Sequence, residues 1–266
     1  MLTLNNVSKT FHPKTVNEKR ALDRFSLHLG AGEFVTVIGS NGAGKSTLFN
    51  TISGFFFVDS GEILLDGEDI TYQKEYRRAR KIGRLFQDPL KGTAPSMTIE
   101  ENLALAYLRG VGKNPVFGLD KKSRELFREK LAALGLGLED RMKTKVGLLS
   151  GGQRQALTLL MATIITPKLL LLDEHTAALD PVTAEKVLEI TKKIVAENRI
   201  TCMMVTHNIQ SALGLGTRTI MMDDGRIVLD LSGKERAEMT VPKLIERFQE
   251  TSKKNLDSDR MLLNKE

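Results

Sequence analysis

Short apolar runs alternate with polar, glycine-containing turns along the first third of the chain, and this pattern predicts mainly strands. Three strands are predicted to open the chain, over residues 2–11, 21–30 and 33–39. The last of them is almost continuously apolar, as is typical of a strand that is covered on both faces. The pattern then predicts a helix over about residues 45–53, followed by strands over residues 61–67 and 81–87. We expect the N-terminal strands to form an antiparallel region.

Helical periodicity replaces the strand pattern from residue 88 to about residue 166. In a capping box, two side chains three residues apart each satisfy a free backbone N–H at the start of a helix. The sequence contains two such pairs here, Thr98 with Glu101 and Ser150 with Gln153. Asp120 is a further N-cap candidate, for a helix that should end near Gly135. The block is therefore predicted to be a helical lobe.

Strand patterns return after the helical block, over residues 168–173, 200–206, 218–224 and 226–231. Asp180 and Pro181 supply an N-cap and a first-turn proline for a helix that runs to about residue 198. This alternation predicts an α/β fold with a mostly parallel core that carries a helical lobe. The predicted division is one domain over residues 1–250, with a core of residues 1–87 and 167–250, a helical subdomain of residues 88–166, and a polar tail of residues 251–266.

The composition is that of a globular protein with a sizeable core, since 41% of the 266 residues are hydrophobic and 27% are charged. The single cysteine, Cys202, excludes an intramolecular disulfide and suits a reducing compartment; its apolar surroundings predict a buried structural thiol. We find no signal-peptide pattern and no apolar run of the ~20 residues that span a bilayer. The expected location is therefore the cytoplasm.

The formal net charge of +6 suits an anionic ligand or an acidic membrane surface, and it equally suits plain solubility. The densest basic run is YRRARK, residues 76–81, which we interpret as a solvated helix face. No aromatic residues are interleaved with it as a base-stacking platform would require. We therefore expect no nucleic-acid partner.

A glycine-rich loop follows the apolar strand that ends at Gly39 and precedes the next helix. The segment GSNGAGKST fits the phosphate-binding pattern G-x-x-x-x-G-K-[ST]. Glycines allow backbone N–H groups to wrap phosphates, Lys45 can neutralise the outer phosphates, and the Ser46 hydroxyl can bind Mg²⁺. The predicted nucleotide-binding residues are Gly39, Ser40, Asn41, Gly42, Ala43, Gly44, Lys45, Ser46 and Thr47.

Two carboxylates follow the apolar strand KLLLLDE. Asp173 would lie at the carboxyl edge of a parallel sheet, where such folds bind ligands, and is predicted to hold Mg²⁺ directly or through water. Glu174 is the next residue and is predicted to polarise the water that attacks the phosphate. A polar loop without catalytic function is the alternative, but the nearby phosphate-loop motif favours catalysis.

Several motifs, in order, resemble those of the ATP-binding subunits of ABC transporters. LSGGQ (residues 149–153) resembles the family signature, LLLLDE the Walker B run, and AALD (residues 177–180) the D-loop. Gln87 matches the Q-loop glutamine and His207 the switch histidine. Phe11 lies where the family carries the aromatic residue that stacks on adenine. The resemblance covers Leu2 to about Leu231 and implies a P-loop NTPase core of the ABC ATPase type.

The resemblance implies ATP and Mg²⁺ as cofactors and two subunits that meet head to tail through ATP. Ser150, Gly151, Gly152 and Gln153 of one subunit would then close on the γ-phosphate bound by the other. The implied catalytic residues are Glu174, His207, Gln87 and Lys45, and the implied metal ligands are Ser46, Gln87 and Asp173. Separate permease subunits, contacted through about residues 92–108, and an extracytoplasmic substrate-binding protein are the implied partners. The chain would then lie on the inner face of the cell membrane.

One residue departs from the family pattern: His175 stands where most relatives have proline. The segment DEHTAALDP resembles the same segment in the ATPases of importers for amino acids, including aromatic amino acids. Export of lipid or lipoprotein, and a soluble ABC ATPase outside transport, are the alternatives. The long coiled coils, zinc sites or tandem cassettes typical of the latter class are not apparent in the sequence.

Overall fold

The computed structural model describes residues 1–111, 120–248 and 250. The strands are β1 (Leu2–Phe11), β2 (Lys19–Leu29), β3 (Phe34–Gly39), β4 (Ser60–Leu65), β5 (Glu68–Asp69), β6 (Ile82–Leu85), β7 (Leu169–Asp173), β8 (Thr201–Val205), β9 (Arg218–Asp223) and β10 (Arg226–Ser232). The α-helices are α1 (Lys45–Ser53), α2 (Glu75–Arg78), α3 (Ile99–Val111), α4 (Lys121–Ala132), α5 (Gly151–Thr163), α6 (Pro181–Glu197), α7 (Ile209–Gly214) and α8 (Gly233–Ala237). Residues 241–248 are also helical.

The chain forms two compact units, and the predicted α/β class is confirmed. The first unit comprises Met1–Tyr72 and the residues from Met203 onward, and the second comprises Gln73–Cys202. The predicted division into a core and a subdomain of residues 88–166 stays a prediction.

The N-terminal antiparallel region of the first unit is confirmed. Its sheet has the order β2-β1-β4-β5. β1 pairs antiparallel with β2 on one side and with β4 on the other. Alternate residues of β2 from Ala21 to Leu29 are buried, as period-two patterning requires. In β1 the buried residues are Leu2, Leu4 and Val7, because an irregularity in the pairing between Leu4 and Val7 shifts the alternation by one residue.

A second set of strands in the first unit has the order β10-β9-β3, with β8 on the far side of β3. β3 and β9 are parallel, and their buried residues form near-continuous apolar runs. α1 follows β3 through the glycine-rich loop, so the predicted strand, loop and helix sequence is confirmed. This arrangement brings the loop to the carboxyl end of a buried strand.

The second unit contains the parallel pair β6 and β7 and most of the helices. Its apolar core is formed by the inner faces of α3, α4 and α5, with Val146, Leu149 and residues near Leu138. Both predicted capping boxes are present. Glu101 accepts from the Thr98 N–H at 2.7 Å, and Ser150 and Gln153 bond each other reciprocally at 3.2 and 3.3 Å.

The interpretation of the basic run 76–81 as a solvated face is wrong for one residue. Arg78 at the end of α2 is only 1% exposed, and its Nε donates to the Gln73 carbonyl at 2.9 Å. The Arg78 guanidinium therefore stabilises the fold and is not part of a solvated surface.

Cys202 is buried as predicted, and burial raises the pKa of its thiol well above the usual value. No helix among the described residues combines the length and apolar character of a membrane span.

Candidate functional site

The glycine-rich loop is shaped by close backbone contacts within the first unit. A Cβ on Gly39 would lie 2.2 Å from the Met222 carbonyl oxygen, and one on Gly44 would lie 2.2 Å from the Ala21 carbonyl oxygen. Gly44 also has a φ of 99°, which disfavours other residues. Side chains are therefore excluded at both ends of the loop, because the loop packs directly on β9 and β2.

Lys45 is folded against this loop. Its Nζ donates to the carbonyl oxygens of Gly39 and Ser40, each at 2.8 Å, and the residue is only 6% exposed. The ammonium group is thus held over the loop by backbone oxygens. Ser46, the next residue, is exposed in the first turn of α1.

The N-terminus of α1 has the features of an anion site. Its N-cap, Gly44, makes no side-chain capping bond, and the first turn contains no acidic residue. The N–H groups of the first turn and the positive end of the helix dipole therefore coincide with the loop. The arrangement can bind a phosphate chain through backbone N–H groups, with Lys45 as counter-charge.

The ion pair of Asp23 with Arg226, which no sequence motif indicates, stabilises the turn that contacts the glycine-rich loop. Asp23 on β2 is 7% exposed and accepts from the Arg226 Nε at 2.8 Å. The hydrogen bond with Arg226 lowers the pKa of Asp23, and burial only partly offsets it. The backbone of Gly225, in the turn before Arg226, makes two further bonds. Its carbonyl accepts from the Asp23 N–H at 3.1 Å, and its N–H donates to the Ala43 carbonyl at 3.0 Å. The β9–β10 turn is therefore anchored to both β2 and the loop.

Phe11 ends β1 and is half-buried. Its ring contacts Phe56 edge to face, with centroids 5.2 Å apart, and the Lys9 ammonium lies 5.8 Å from its centroid. The ring is thus supported by neighbours, and its partial exposure leaves surface for a planar ligand. Stacking of Phe11 on adenine stays a prediction.

His207 lies two residues beyond β8 and is exposed. The chain reaches it through Thr206, whose N–H donates to the Val37 carbonyl of β3 at 3.2 Å. Asn208 then caps α7 by accepting from the Ser211 N–H at 2.8 Å. The predicted position of His207 just after a buried strand is confirmed, while its role stays a prediction.

In the second unit, Asp173 is the last residue of β7. Its Oδ2 lies 3.6 Å from Nη2 of Arg84 on the adjacent strand β6, and the two side chains are only 15% and 11% exposed. Burial lowers the pKa of Arg84, and the Asp173 carboxylate partly offsets that change. Arg84 also stacks on the Phe86 ring at 4.6 Å. No local pattern in the chain indicates this buried partner of Asp173.

Glu174 follows with a φ of 46°, an uncommon backbone conformation for a residue with a side chain. It is half-buried. Strained backbone of this kind is concentrated at functional sites, where it aims a side chain in a required direction. This observation is consistent with the predicted role of Glu174, and that role stays a prediction.

Gln87 is exposed and lies two residues beyond β6 rather than at its end, so the predicted strand of residues 81–87 is too long. The strand stops because Asp88 caps a 3₁₀ turn that begins at Pro89, accepting from the Leu90 N–H at 2.9 Å. Gln87 therefore belongs to the connection between strand and turn.

The signature segment is built differently at its two glycines. Gly151 is exposed, whereas Gly152 is buried, and a Cβ on Gly152 would lie 2.1 Å from Cγ2 of Thr183 on α6. The resemblance implies that both glycines close on the γ-phosphate bound by the opposing subunit. For Gly152 the structure adds a second reason, because α5 and α6 pack too closely for a side chain there.

Arg154 is a further structural residue that the sequence analysis missed. Its guanidinium donates to the carbonyl oxygens of Val146, Gly147 and Leu149 at 3.3, 3.1 and 2.9 Å. These bonds hold the 3₁₀ turn that precedes Ser150. Ser150 is therefore presented at the surface by a fixed turn on one side and the capping box on the other.

Comparison of the whole chain with known proteins shows its family. A family model described as ABC transporter matches residues 22–177. The chain is 47% identical over 250 residues to a tyrosine transport ATP-binding protein of Clostridioides difficile, covering 94% of this chain and 99% of that protein. It is 38% identical over 211 residues to the methionine import ATP-binding protein MetN of Rhizobium johnstonii, covering 78% of this chain and 56% of that protein. A dimeric ATP-binding cassette, solved in a post-hydrolysis state with ADP and phosphate, is 31% identical with a TM-score of 0.74 and covers 87% of this chain and 98% of that one.

Proposed function

Because the chain belongs to the ABC transporter family as an ATP-binding subunit, an enzyme that couples ATP hydrolysis to transport, we propose that it powers amino-acid uptake. The proposed solute is tyrosine or a closely related amino acid. The observation that carries this proposal is 47% identity to a tyrosine transport ATP-binding protein over nearly the full length of both chains. The import direction is supported by the name of the methionine relative.

The proposed partners are a second copy of the chain and separate permease subunits in the membrane. A homodimer, or a pseudo-symmetric dimer, is supported by the dimeric cassettes among the solved relatives. The proposed permease contact is the segment of residues 92–108. Within it, the buried Asn102 accepts from the Ala94 N–H at 2.8 Å and donates to the Thr98 carbonyl at 2.9 Å, which fixes the loop before α3. The proposed location is the inner face of the cell membrane.

The proposed reaction is attack of water on the γ-phosphate of ATP. The loop N–H groups and Lys45 bind the phosphates, and Phe11 stacks on the adenine. Glu174 accepts the proton of the attacking water, while His207 and Gln87 position that water and the γ-phosphate. Phosphoryl transfer needs mainly this positioning and charge stabilisation. Ser150 and the N–H groups of the signature act on the nucleotide of the opposing subunit.

The residues proposed to hold Mg²⁺ have suitable donors. The Ser46 hydroxyl, the Asp173 carboxylate and the Gln87 amide oxygen are hard oxygen ligands of the kind that Mg²⁺ prefers. Ser46 and Gln87 are exposed, and Asp173 keeps 15% of its side-chain surface accessible beside Arg84. When bound, the ion neutralises charge on the outer phosphates.

Substitution of Glu174 by Gln tests this proposal. The variant keeps the shape of the side chain and removes the proton acceptor, so we expect ATP binding to persist while hydrolysis falls by about 10²-fold or more. The ATP-bound dimer should then accumulate and be visible by size-exclusion chromatography with light scattering. Normal hydrolysis by the variant would refute the assignment of Glu174.

Transport is tested separately. Co-purification of the chain with its membrane subunits, reconstitution into liposomes and measurement of ATP-dependent tyrosine uptake would establish the solute. ATP-dependent efflux from the liposomes instead of uptake would favour the exporter alternative.

A further inference from the structure

Lys19 lies outside every motif discussed so far, yet its charge lies at the glycine-rich loop. It begins β2 and is the direct cross-strand partner of Phe11 on β1. Its Nζ is 3.0 Å from the point that a Cβ on Gly42 would occupy. Gly42 has a φ of 86° and stands in the middle of the loop. A cation from a neighbouring strand therefore reaches the loop over a position that has no side chain.

Lys19 differs from the other cations of its strand. Arg20 and Arg24 both pair with Asp23, at 3.3 and 3.6 Å. Among the residues that the structure describes, no carboxylate forms an ion pair with Lys19. Lys19 is an exposed residue. Its positive charge is therefore available to an anion that binds in the loop.

The order of groups along the loop indicates which part of an anion Lys19 would meet. Lys45 lies at the beginning of the loop, on the carbonyl oxygens of Gly39 and Ser40. Lys19 lies at Gly42 and is paired in register with Phe11, the residue proposed to hold the base. Lys19 is thus placed between the proposed base position and the loop, on the nucleoside side of the phosphate chain.

We propose that Lys19 binds the α-phosphate of the nucleotide and is a second phosphate-binding lysine besides Lys45. This inference rests on the proposed nucleotide site and adds a residue to it. The α-phosphate is common to ATP and ADP and carries little change of charge during γ-phosphoryl transfer. Lys19 therefore stabilises substrate, transition state and product about equally, so its contribution appears as binding affinity for both nucleotides.

The test compares Lys19→Met with Lys14→Met in the full chain. Both substitutions remove one exposed positive charge from the same segment, so they match in net charge. Binding of ADP and of a non-hydrolysable ATP analogue, each with Mg²⁺, is measured by titration calorimetry at low and high salt. We expect Lys19→Met to raise Kd for both nucleotides by the same factor, about fivefold, and less at high salt, since the contact is exposed. Lys14→Met should bind as the unmodified chain does, and Lys19→Arg should retain most of the affinity.

Three results would overturn the proposal. The first is an unchanged Kd in Lys19→Met. The second is an equal rise of Kd in Lys14→Met, which would indicate that only the net positive charge of the segment matters. The third is a much larger loss for the ATP analogue than for ADP, which would place the lysine at the γ-phosphate. Lys45→Ala separates this proposal from the proposed function. If that variant still binds nucleotide with full affinity, the phosphate loop assignment itself fails, whatever Lys19 does.

Discussion

At the scale of single residues, His175 shows how a departure from the family pattern is accommodated. The ring is 2% exposed and its Nε2 lies 3.2 Å from the Thr191 hydroxyl oxygen. That hydroxyl donates its only proton to the Val187 carbonyl at 2.8 Å, so the histidine must be the donor in the contact between them. His175 therefore carries a proton on Nε2. Burial lowers the pKa of His175 to about 4, so the ring is neutral at neutral pH.

This pKa predicts a specific loss of stability in mild acid. The unfolded chain, with a histidine pKa of about 6.5, binds the proton more readily than the folded one, so stability falls as the pH drops from about 6.5 towards 4. At pH 5 the loss from this residue should be about 2 kcal/mol relative to pH 7.5. His175→Gln keeps a donor for Thr191 and cannot titrate, and should lack that part of the pH dependence. Urea unfolding followed by circular dichroism at both pH values measures the difference; identical pH dependence in both proteins would refute the prediction.

Sequence reasoning was accurate for residues whose roles depend on near neighbours and failed where the partner is distant. The pair Ser150 and Gln153 could be predicted because a capping box is defined by a spacing of three residues. Arg78 was assigned to the surface because nothing in a basic run shows which guanidinium turns inward. The pairing of Asp173 with Arg84 depends on strand order, which a single sequence does not show.

At the scale of elements, the same distinction holds. β1 and α1 were predicted with the bounds they have, because their apolar periodicity and flanking turns are local signals. The short helices α7 and α8 were missed, since six and five residues are too few to establish a helical period. The contact of α5 with α6 at Gly152 was also missed, because it depends on how two helices pack.

The two reasons for Gly152 can be separated by a pair of substitutions. Gly152→Ala should lower stability by about 1–3 kcal/mol, because its Cβ would overlap Cγ2 of Thr183. Thr183→Ser removes that methyl group, so the double variant should recover most of the lost stability. The double variant still carries a methyl group at residue 152. If Gly152 also gives a bound phosphate access to the backbone, this variant should hydrolyse ATP slowly even though its stability is restored. Thermal unfolding and ATPase assays on all four proteins provide the measurement.

Two outcomes of that cycle would contradict this view of the signature. Full ATPase activity in the double variant would mean that packing alone requires the glycine. Unchanged stability in Gly152→Ala would mean that α6 adjusts without cost. Gly151→Ala is the matched control for the stability measurement, since its Cβ would lie 3.1 Å from Cδ2 of Leu179, a contact that a small movement relieves.

At the scale of the whole molecule, the question is whether one chain is sufficient for catalysis. The phosphate loop and the exposed Ser150 lie in different units of the chain, and each has its own local support. The proposal that they act on the same nucleotide only across two copies predicts a particular kind of complementation. Lys45→Ala removes the loop cation, and Ser150→Ala removes the signature hydroxyl; neither variant alone should form an intact composite site.

A mixed dimer of these two variants contains one site with both defects and one with neither. Equal mixing gives mixed dimers in about half of the population, and each has one intact site of two, so activity should return to about a quarter of the unmodified level. Steady-state phosphate release from mixtures of varied ratio measures this, with each variant alone at the same total concentration as control. The recovery should vanish on dilution, because the intact site exists only while two chains are associated. Mixtures that merely average the two separate activities at every ratio would show that each chain works without the signature of another.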